Sequence, residues 1–220
     1  MSIDYAHMNT SAGERQSPTA KFNKPNICAE IQAMRNSAFK RSIPTADDET
    51  LNFLITLLSA VKPKNILELG TATGITASVF LSICPEAHVT TVERNEDFYN
   101  EAKLNFKSLN LEKNVTAILG DAGEVIKTLE GGFDFIFMDC AKVQYVKYLP
   151  VLKNLLMTGG ILIADDVLLF GWITGECEVP KKRKMLYNHI IEYIEKATAD
   201  GGLATSVLNV GDGLAMSVKL

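Results

Sequence analysis

The chain has 220 residues, 47% of them hydrophobic, with 22 basic and 26 acidic side chains and a formal net charge of −4. That is enough apolar material for one sizeable core in one domain, and the acidic balance excludes a global attraction to nucleic acid while leaving room for a local basic patch. The four cysteines (Cys28, Cys84, Cys140, Cys177) form no CxxC pair, and no apolar run approaches the roughly 18 residues of a membrane span, so the reading is a reduced, soluble, cytoplasmic protein with no membrane contact.

Residues 1–24 are polar and non-periodic, lack a signal-peptide core and are expected to be mobile, leaving 25–220 as the single folded domain. Ile27, Ile31, Met34 and Ala38 make a helical stripe over 26–41, and a second helix follows Pro44 with Leu51, Leu54, Ile55 and Leu58 on one side. The pattern then alternates. Strand-like runs "NILELG" (65–70), "HVTTVE" (88–93), "VTAILG" (115–120), "FDFIFMD" (133–139) and "GGILIAD" (159–165) are separated by helical segments at 74–84, 95–109, 122–130 and 143–156. Asn95 suits the N-cap of its helix, and Pro150 is expected to kink or divide the last of these helices. A helix from Pro180 to about Thr198 precedes "ATSVLNV", "GDG" and "LAMSVKL", which read as a hairpin. Strands alternating with helices predict a parallel sheet covered on both faces, with one antiparallel strand from the hairpin. Ligands of such sheets bind beyond the carboxyl ends of the strands.

The residues at those ends carry the chemistry. After Glu68 come Gly70 and Gly74, spaced as E-x-G-x-x-x-G, which is not the dinucleotide pattern; the turn is either tight packing or a place where backbone approaches a ligand lacking pyrophosphate. Glu93 ends the second strand, where an acid either meets solvent or accepts from both hydroxyls of a ribose. Taken together, Glu68, Gly70, Gly74 and Glu93 point to a nucleoside site, with S-adenosylmethionine as the candidate. Asp121 either caps the next helix or meets an adenine amino group. Asp139, Lys142, Asp165 and Asp166 follow the fourth and fifth strands. Three neighbouring carboxylates repel unless a cation or proton intervenes, and oxygen-only ligands select Mg²⁺, Ca²⁺ or Mn²⁺; the plain alternative is that Asp166 faces solvent and Lys142 neutralises Asp139. If both acids serve one site, the strand has to end at about Asp165, because successive side chains in a strand point apart. Trp172 either stacks on an aromatic acceptor or packs in a loop core or interface. The run Lys181-Lys182-Arg183-Lys184 is either a solvated helix start or a phosphate contact. His7, His88, His189 and Cys140 receive no catalytic role.

In order, "ILELGTATGITAS", "VTTVERN", "GDA", "MDCAK", "ADDVL" and "GDGLAMSVK" resemble the metal-dependent O-methyltransferases of the catechol and caffeoyl-CoA type, over about residues 30–220. "DCAKVQY", "VPKKRK" and the last motif look closest to the bacterial branch containing tRNA 5-hydroxyuridine methyltransferases. The resemblance implies a Rossmann-like class I methyltransferase α/β fold with a seven-stranded, mostly parallel sheet and helices on both faces. It implies that Ile43, Glu68, Gly70, Gly74, Thr76, Glu93, Asp121, Ala122 and Asp139 serve S-adenosylmethionine. It further implies that Asp139, Asp165 and Asp166 hold a divalent metal, and that Lys142, its pKa lowered by the cation, is the general base. The implied acceptor is a hydroxylated aromatic small molecule or the hydroxyuridine of a tRNA anticodon, and the implied assembly a homodimer. Two positions depart from the pattern: Asp166 stands where the third ligand is usually Asn, which should raise metal affinity and disfavour the acceptor's oxyanion, and Ala72 replaces a common glycine. A non-catalytic nucleoside-binding module is the rival reading.

Overall fold

The structure, a computed structural model, describes residues 19–220. The 1–18 part of the expected mobile segment, including His7, lies outside the described residues. Thr19–Lys24 lie beside helix α2 (Asp48–Val61): Asn23 donates to Glu49 at 3.1 Å and Lys24 pairs with Asp48 at 2.9 Å.

The strands are β1 (Asn65–Leu69), β2 (His88–Glu93), β3 (Val115–Leu119), β4 (Phe133–Met138), β5 (Leu156–Ala164), β6 (Leu203–Leu208) and β7 (Leu214–Lys219). They form one sheet in the order β3-β2-β1-β4-β5-β7-β6, parallel except for β7, which runs antiparallel to both neighbours. Both faces are covered, as the continuous apolar strands require. Leu67, Leu69, Ile136, Met138 and Leu162 pack under α6 (Tyr145–Leu155) and α7 (Lys184–Ala199). On the other face, Ile66, Val89, Phe135, Phe137 and Ile163 meet α2, α3 (Ile75–Ile83) and α4 (Glu96–Ser108), with Phe80 set edge-on to Phe135 and Phe137 at 5.8 Å. Helix α1 (Ala29–Lys40) packs Ile31 and Ala38 against Leu51, Ile75 and Val79.

Local signals explain most boundaries. Asp47 and Asn95 accept the amides of Thr50 and Phe98, starting α2 and α4. Two expectations are corrected. The 122–130 helix is a single turn, α5 (Ala122–Val125), started by the Asp121 cap. Helix α6 continues through Pro150, because Tyr145, Tyr148, Leu149, Leu152 and Leu155 are all buried on one side of it while proline removes one backbone donor. The carbonyl deprived of that donor belongs to Val146, which borders a surface cleft. The sheet reverses its winding between β1 and β4, so the crevice at their carboxyl ends is where a ligand site belongs.

Candidate active site

Gly70 follows β1 with φ +102°, and its amide bonds the Val92 carbonyl at 3.0 Å. A Cβ here would sit 2.0 Å from the carbonyl oxygen of Asp139, the residue after β4. Only glycine allows the two strand ends to approach this closely. Ala72 also has positive φ, +43°, a conformation that costs an L-residue about 1–2 kcal/mol. Its amide is held at 2.9 Å by one carboxylate oxygen of Glu93, whose other oxygen takes the Asn95 amide at 2.8 Å. Gly74, at φ +81°, opens α3 against the Phe106 ring. Glu93 is therefore neither a solvated strand end nor free; it secures the loop at Ala72.

Gly70, Thr71, Ala72, Thr73, Ile75, Thr76 and Asp139 face Pro44, Thr45 and Ala46 across a narrow cleft of about 20 Å³. The sequence reading selected Ile43 for this segment. Its side chain packs instead with the α1 cluster, and Pro44–Ala46 line the cleft. Asp121 caps α5 by accepting the Gly123 amide at 2.8 Å, with Ala122 packed on the core; both sit beside Glu93, whose carbonyl receives the Gly120 amide. Glu68 is completely buried at the end of β1. Its Oε2 accepts from the Thr91 hydroxyl, and burial pushes its carboxyl up to about 8.

At the ends of β4 and β5, the Lys142 ammonium lies 2.7 Å from Asp166 and 3.3 Å from Asp139. Strand β5 stops at Ala164, and Asp166 takes φ +56°, which turns the chain as two adjacent acids serving one site demand. Asp and Asn tolerate this left-handed conformation better than other non-glycine residues, which accounts for either at position 166. Asp165 is buried; its amide bonds the Met138 carbonyl at 3.0 Å and its Oδ1 accepts the Asp166 amide at 2.8 Å. Burial, then the charges of Asp166 and Asp139, hold the Asp165 carboxyl well above the ordinary range. Burial lowers the pKa of the Lys142 ammonium, but the protein charges around it, Asp166, Tyr145 and Asp139, outweigh burial and raise it well above 10.5. It is a held ammonium in this arrangement.

Two carboxylates escaped the sequence reading. Asp47 is close enough to raise the carboxyls of Asp139 and Asp165, and its own is raised by burial. Asp212, in the closing "GDG", accepts the Phe170 amide at 2.6 and 2.8 Å, while Leu168 donates to the Asp212 carbonyl at 2.8 Å. A Cβ on Gly211 or Gly213 would collide with Asp47 or Leu168. The hairpin turn thus clasps both the α2 cap and the loop after β5. In that loop Trp172 packs on the core beside Phe170, with ring centroids 5.6 Å apart. Lys181–Arg183 form a 3-10 turn just ahead of α7, which begins at Lys184, and among the described residues none of these four cations forms an ion pair.

A family model described as O-methyltransferase matches residues 20–220. A caffeoyl-CoA O-methyltransferase of Stellaria longipes is 31% identical over 166 residues, covering 72% of this chain and 69% of the relative. The crystal structure of a candidate caffeoyl-CoA O-methyltransferase from Staphylococcus aureus superposes with a TM-score of 0.80 at 35% identity, covering 88% of this chain and 93% of the other. A methyltransferase from Podospora anserina, crystallised with S-adenosylhomocysteine, shares the fold with a TM-score of 0.83 at 23% identity, over 91% of this chain and 92% of the other.

Proposed function

The chain belongs to the O-methyltransferase family, and from that membership we propose that it uses S-adenosylmethionine to methylate a hydroxyl of an acceptor bearing a second, adjacent oxygen. The observation that carries this reading is the double position of Asp139. Its carbonyl lies against Gly70 in the cleft after β1, and its carboxylate faces Lys142 at the neighbouring rim. One residue therefore borders both a cofactor cleft and an acceptor site.

The cleft residues fit the cofactor in kind. Gly70 leaves a cradle that a Cβ would fill, Glu68 Oε1 is buried without a hydrogen-bond partner, and Glu93 stands at the end of β2. Gly70, Gly74, Thr76 and Asp139 would hold it, with Glu93, Asp121 and Ala122 on the nucleoside side. Bound S-adenosylmethionine supplies an electrophilic methyl group on a sulfonium.

The rim residues, as they stand, do not fit a metal ion. Lys142 lies between Asp139 and Asp166, Asp165 Oδ1 is turned to a backbone amide, and among the described residues no three His, Cys, Asp or Glu side chains converge to hold one. A divalent ion (Mg²⁺ first, Mn²⁺ or Ca²⁺ otherwise) on Asp139, Asp165 and Asp166 is proposed on the resemblance alone, and no step depends on it. Lys142, held as an ammonium, would favour the acceptor hydroxyl in its deprotonated form, the proton leaving to solvent before the oxygen attacks the methyl carbon. It becomes a base only when one of its two carboxylate partners is withdrawn. Alignment of acceptor and donor supplies much of the remaining acceleration.

The named relatives favour a hydroxylated aromatic small molecule as acceptor. The Lys181–Lys184 run, unpaired among the described residues, favours the second reading, hydroxyuridine in a tRNA anticodon, since cations at a helix N-terminus are locally unfavourable without an anionic partner. A homodimer and a cytoplasmic location belong to the same proposal; among the described residues no helix is long and apolar enough to cross a membrane. Calorimetric titration with S-adenosylmethionine, followed by labelled methyl transfer to a catechol and to hydroxyuridine-containing tRNA, tests it. Binding without transfer to either acceptor supports the rival, a non-catalytic nucleoside-binding module.

A further inference from the structure

The chain leaves β5 under backbone strain. Within five residues, three that are not glycine take positive φ: Asp166 at +56°, Leu169 at +49° and Phe170 at +57°. Aspartate tolerates this conformation. Leucine and phenylalanine are bulky outliers in it, and they keep it only where the surrounding structure over-determines it. Val167, Leu168 and Leu169 are buried at the same time, so the amides of this segment need partners inside the protein.

One turn, 42 residues further along the chain, supplies them. The Val167 amide donates to the Gly213 carbonyl at 2.9 Å and the Leu168 amide to the Asp212 carbonyl at 2.8 Å. The Phe170 amide donates to both carboxylate oxygens of Asp212, at 2.6 and 2.8 Å. Of these three anchors only the last is made by a side chain, and an ionised acceptor makes the stronger bond. It falls on one of the two bulky residues held at positive φ. Beyond it the amides of Gly171, Trp172 and Ile173 turn back on the loop itself, to the carbonyls of Leu168, Leu169 and Leu168. Asp212 thus anchors the stretch between the rim and Trp172.

Resting on the reading of the Asp139, Lys142 and Asp166 rim as the acceptor site, we infer that Asp212 is a positioning residue for methyl transfer. Its carboxylate holds Phe170 in a conformation that backbone sterics oppose. That fixes both ends of a short loop, with Asp166 beside Lys142 at one end and the Phe170 and Trp172 rings together at the other. An acceptor arriving at the rim meets these groups already in place, and such alignment carries much of the rate. Asp212 acts through the backbone of the loop and takes no part in making or breaking bonds. The donor cleft is lined from 44–46, 70–76 and Asp139, and by no residue of this loop or turn. Donor binding and acceptor positioning are therefore separable.

Trp172 is the single tryptophan of the chain, so its fluorescence reports this loop directly. In Asp212→Ala, quenching of Trp172 by acrylamide should rise about two-fold or more as the loop opens locally. The kcat/KM for whichever of catechol and hydroxyuridine-containing tRNA the wild-type chain methylates should fall about ten-fold or more. The calorimetric Kd for S-adenosylmethionine should stay within about two-fold, as for a distant site. Asp212→Asn exchanges the charged acceptor for a neutral one and should move quenching and kcat/KM the same way by smaller factors. It carries the test alone if the alanine variant loses its fold, seen as loss of donor binding. Unchanged quenching in every variant that still binds the donor overturns the inference, and so does a more accessible Trp172 with undiminished transfer. Failure of the wild-type chain to methylate either acceptor overturns the acceptor-site reading, and the positioning role with it, whatever the quenching shows.

Discussion

The Lys142 ammonium is shared between Asp166 at 2.7 Å and Asp139 at 3.3 Å, so two strand ends are joined through one amine. Asp166 makes the shorter of the two contacts. A neutral amide there would leave Lys142 with one carboxylate partner instead of two.

Asp166→Asn should therefore lower the Lys142 pKa, because one of the charges that raises it is removed. The pH at which methyl transfer reaches half its maximum should move down with it. Asparagine tolerates φ +56° as well as aspartate does, so thermal stability should hold within a few degrees. An unmoved pH profile would show that the shared amine does not govern the rate.

Lys142→Met keeps the length of the side chain and removes the charge. Turnover should fall about 100-fold or more, as for loss of a main electrostatic group, with cofactor binding by calorimetry nearly unchanged. Equal losses in both measurements would point to collapse of the rim.

Gly70→Ala places a methyl group 2.0 Å from the Asp139 carbonyl at φ +102°. The strand ends have to part to accept it. Cofactor affinity should drop at least ~10-fold, and the variant should melt several degrees lower, in line with a cost of about 2 kcal/mol for a domain of this size.

Glu68 gives stability a pH slope of known sign. Its carboxyl ionises near 4.5 ordinarily and near 8 when folded, so between these values the folded chain keeps a proton that the unfolded chain has released. Its contribution is fully present below about 4.5 and is lost as pH rises toward 8. In thermal melts Glu68→Gln should match the parent near pH 4.5 and exceed it by several degrees at pH 8. A constant difference across that range would contradict the assignment.

Chelation tests the metal. If a divalent ion displaces Lys142 from between Asp139 and Asp166, EDTA should reduce turnover at least ~10-fold and added Mg²⁺ or Mn²⁺ should restore it. Turnover unaffected by EDTA would mean that the lysine-bridged rim is the working state.

Much of this architecture can be read from local pattern. The β-branched and aromatic runs give the strands, Asn95 and Asp121 declare their caps, and the requirement that the chain turn at Asp165-Asp166 is met by φ +56°. What is not legible depends on partners distant in sequence. The sign of the Lys142 shift needs Asp166, 24 residues on, to be placed beside it. The clasp of Asp212 on the Phe170 amide joins residues 42 apart, and Asp47 reaches the rim only because α2 starts under that same turn. Pro150 misleads because a local rule about helix breaking is overridden by five buried side chains along α6.

The insertion of β7 between β5 and β6 also sets an order of assembly. The cleft around Gly70 draws on residues between Pro44 and Asp139, all made early in synthesis. The loop after β5 cannot settle until Asp212 has emerged and β7 has entered a sheet whose neighbour was made some 50 residues before. A nascent chain would thus complete the cleft around Gly70 before the rim after β5, with the long-range β5–β7 pairing as the late, slow event.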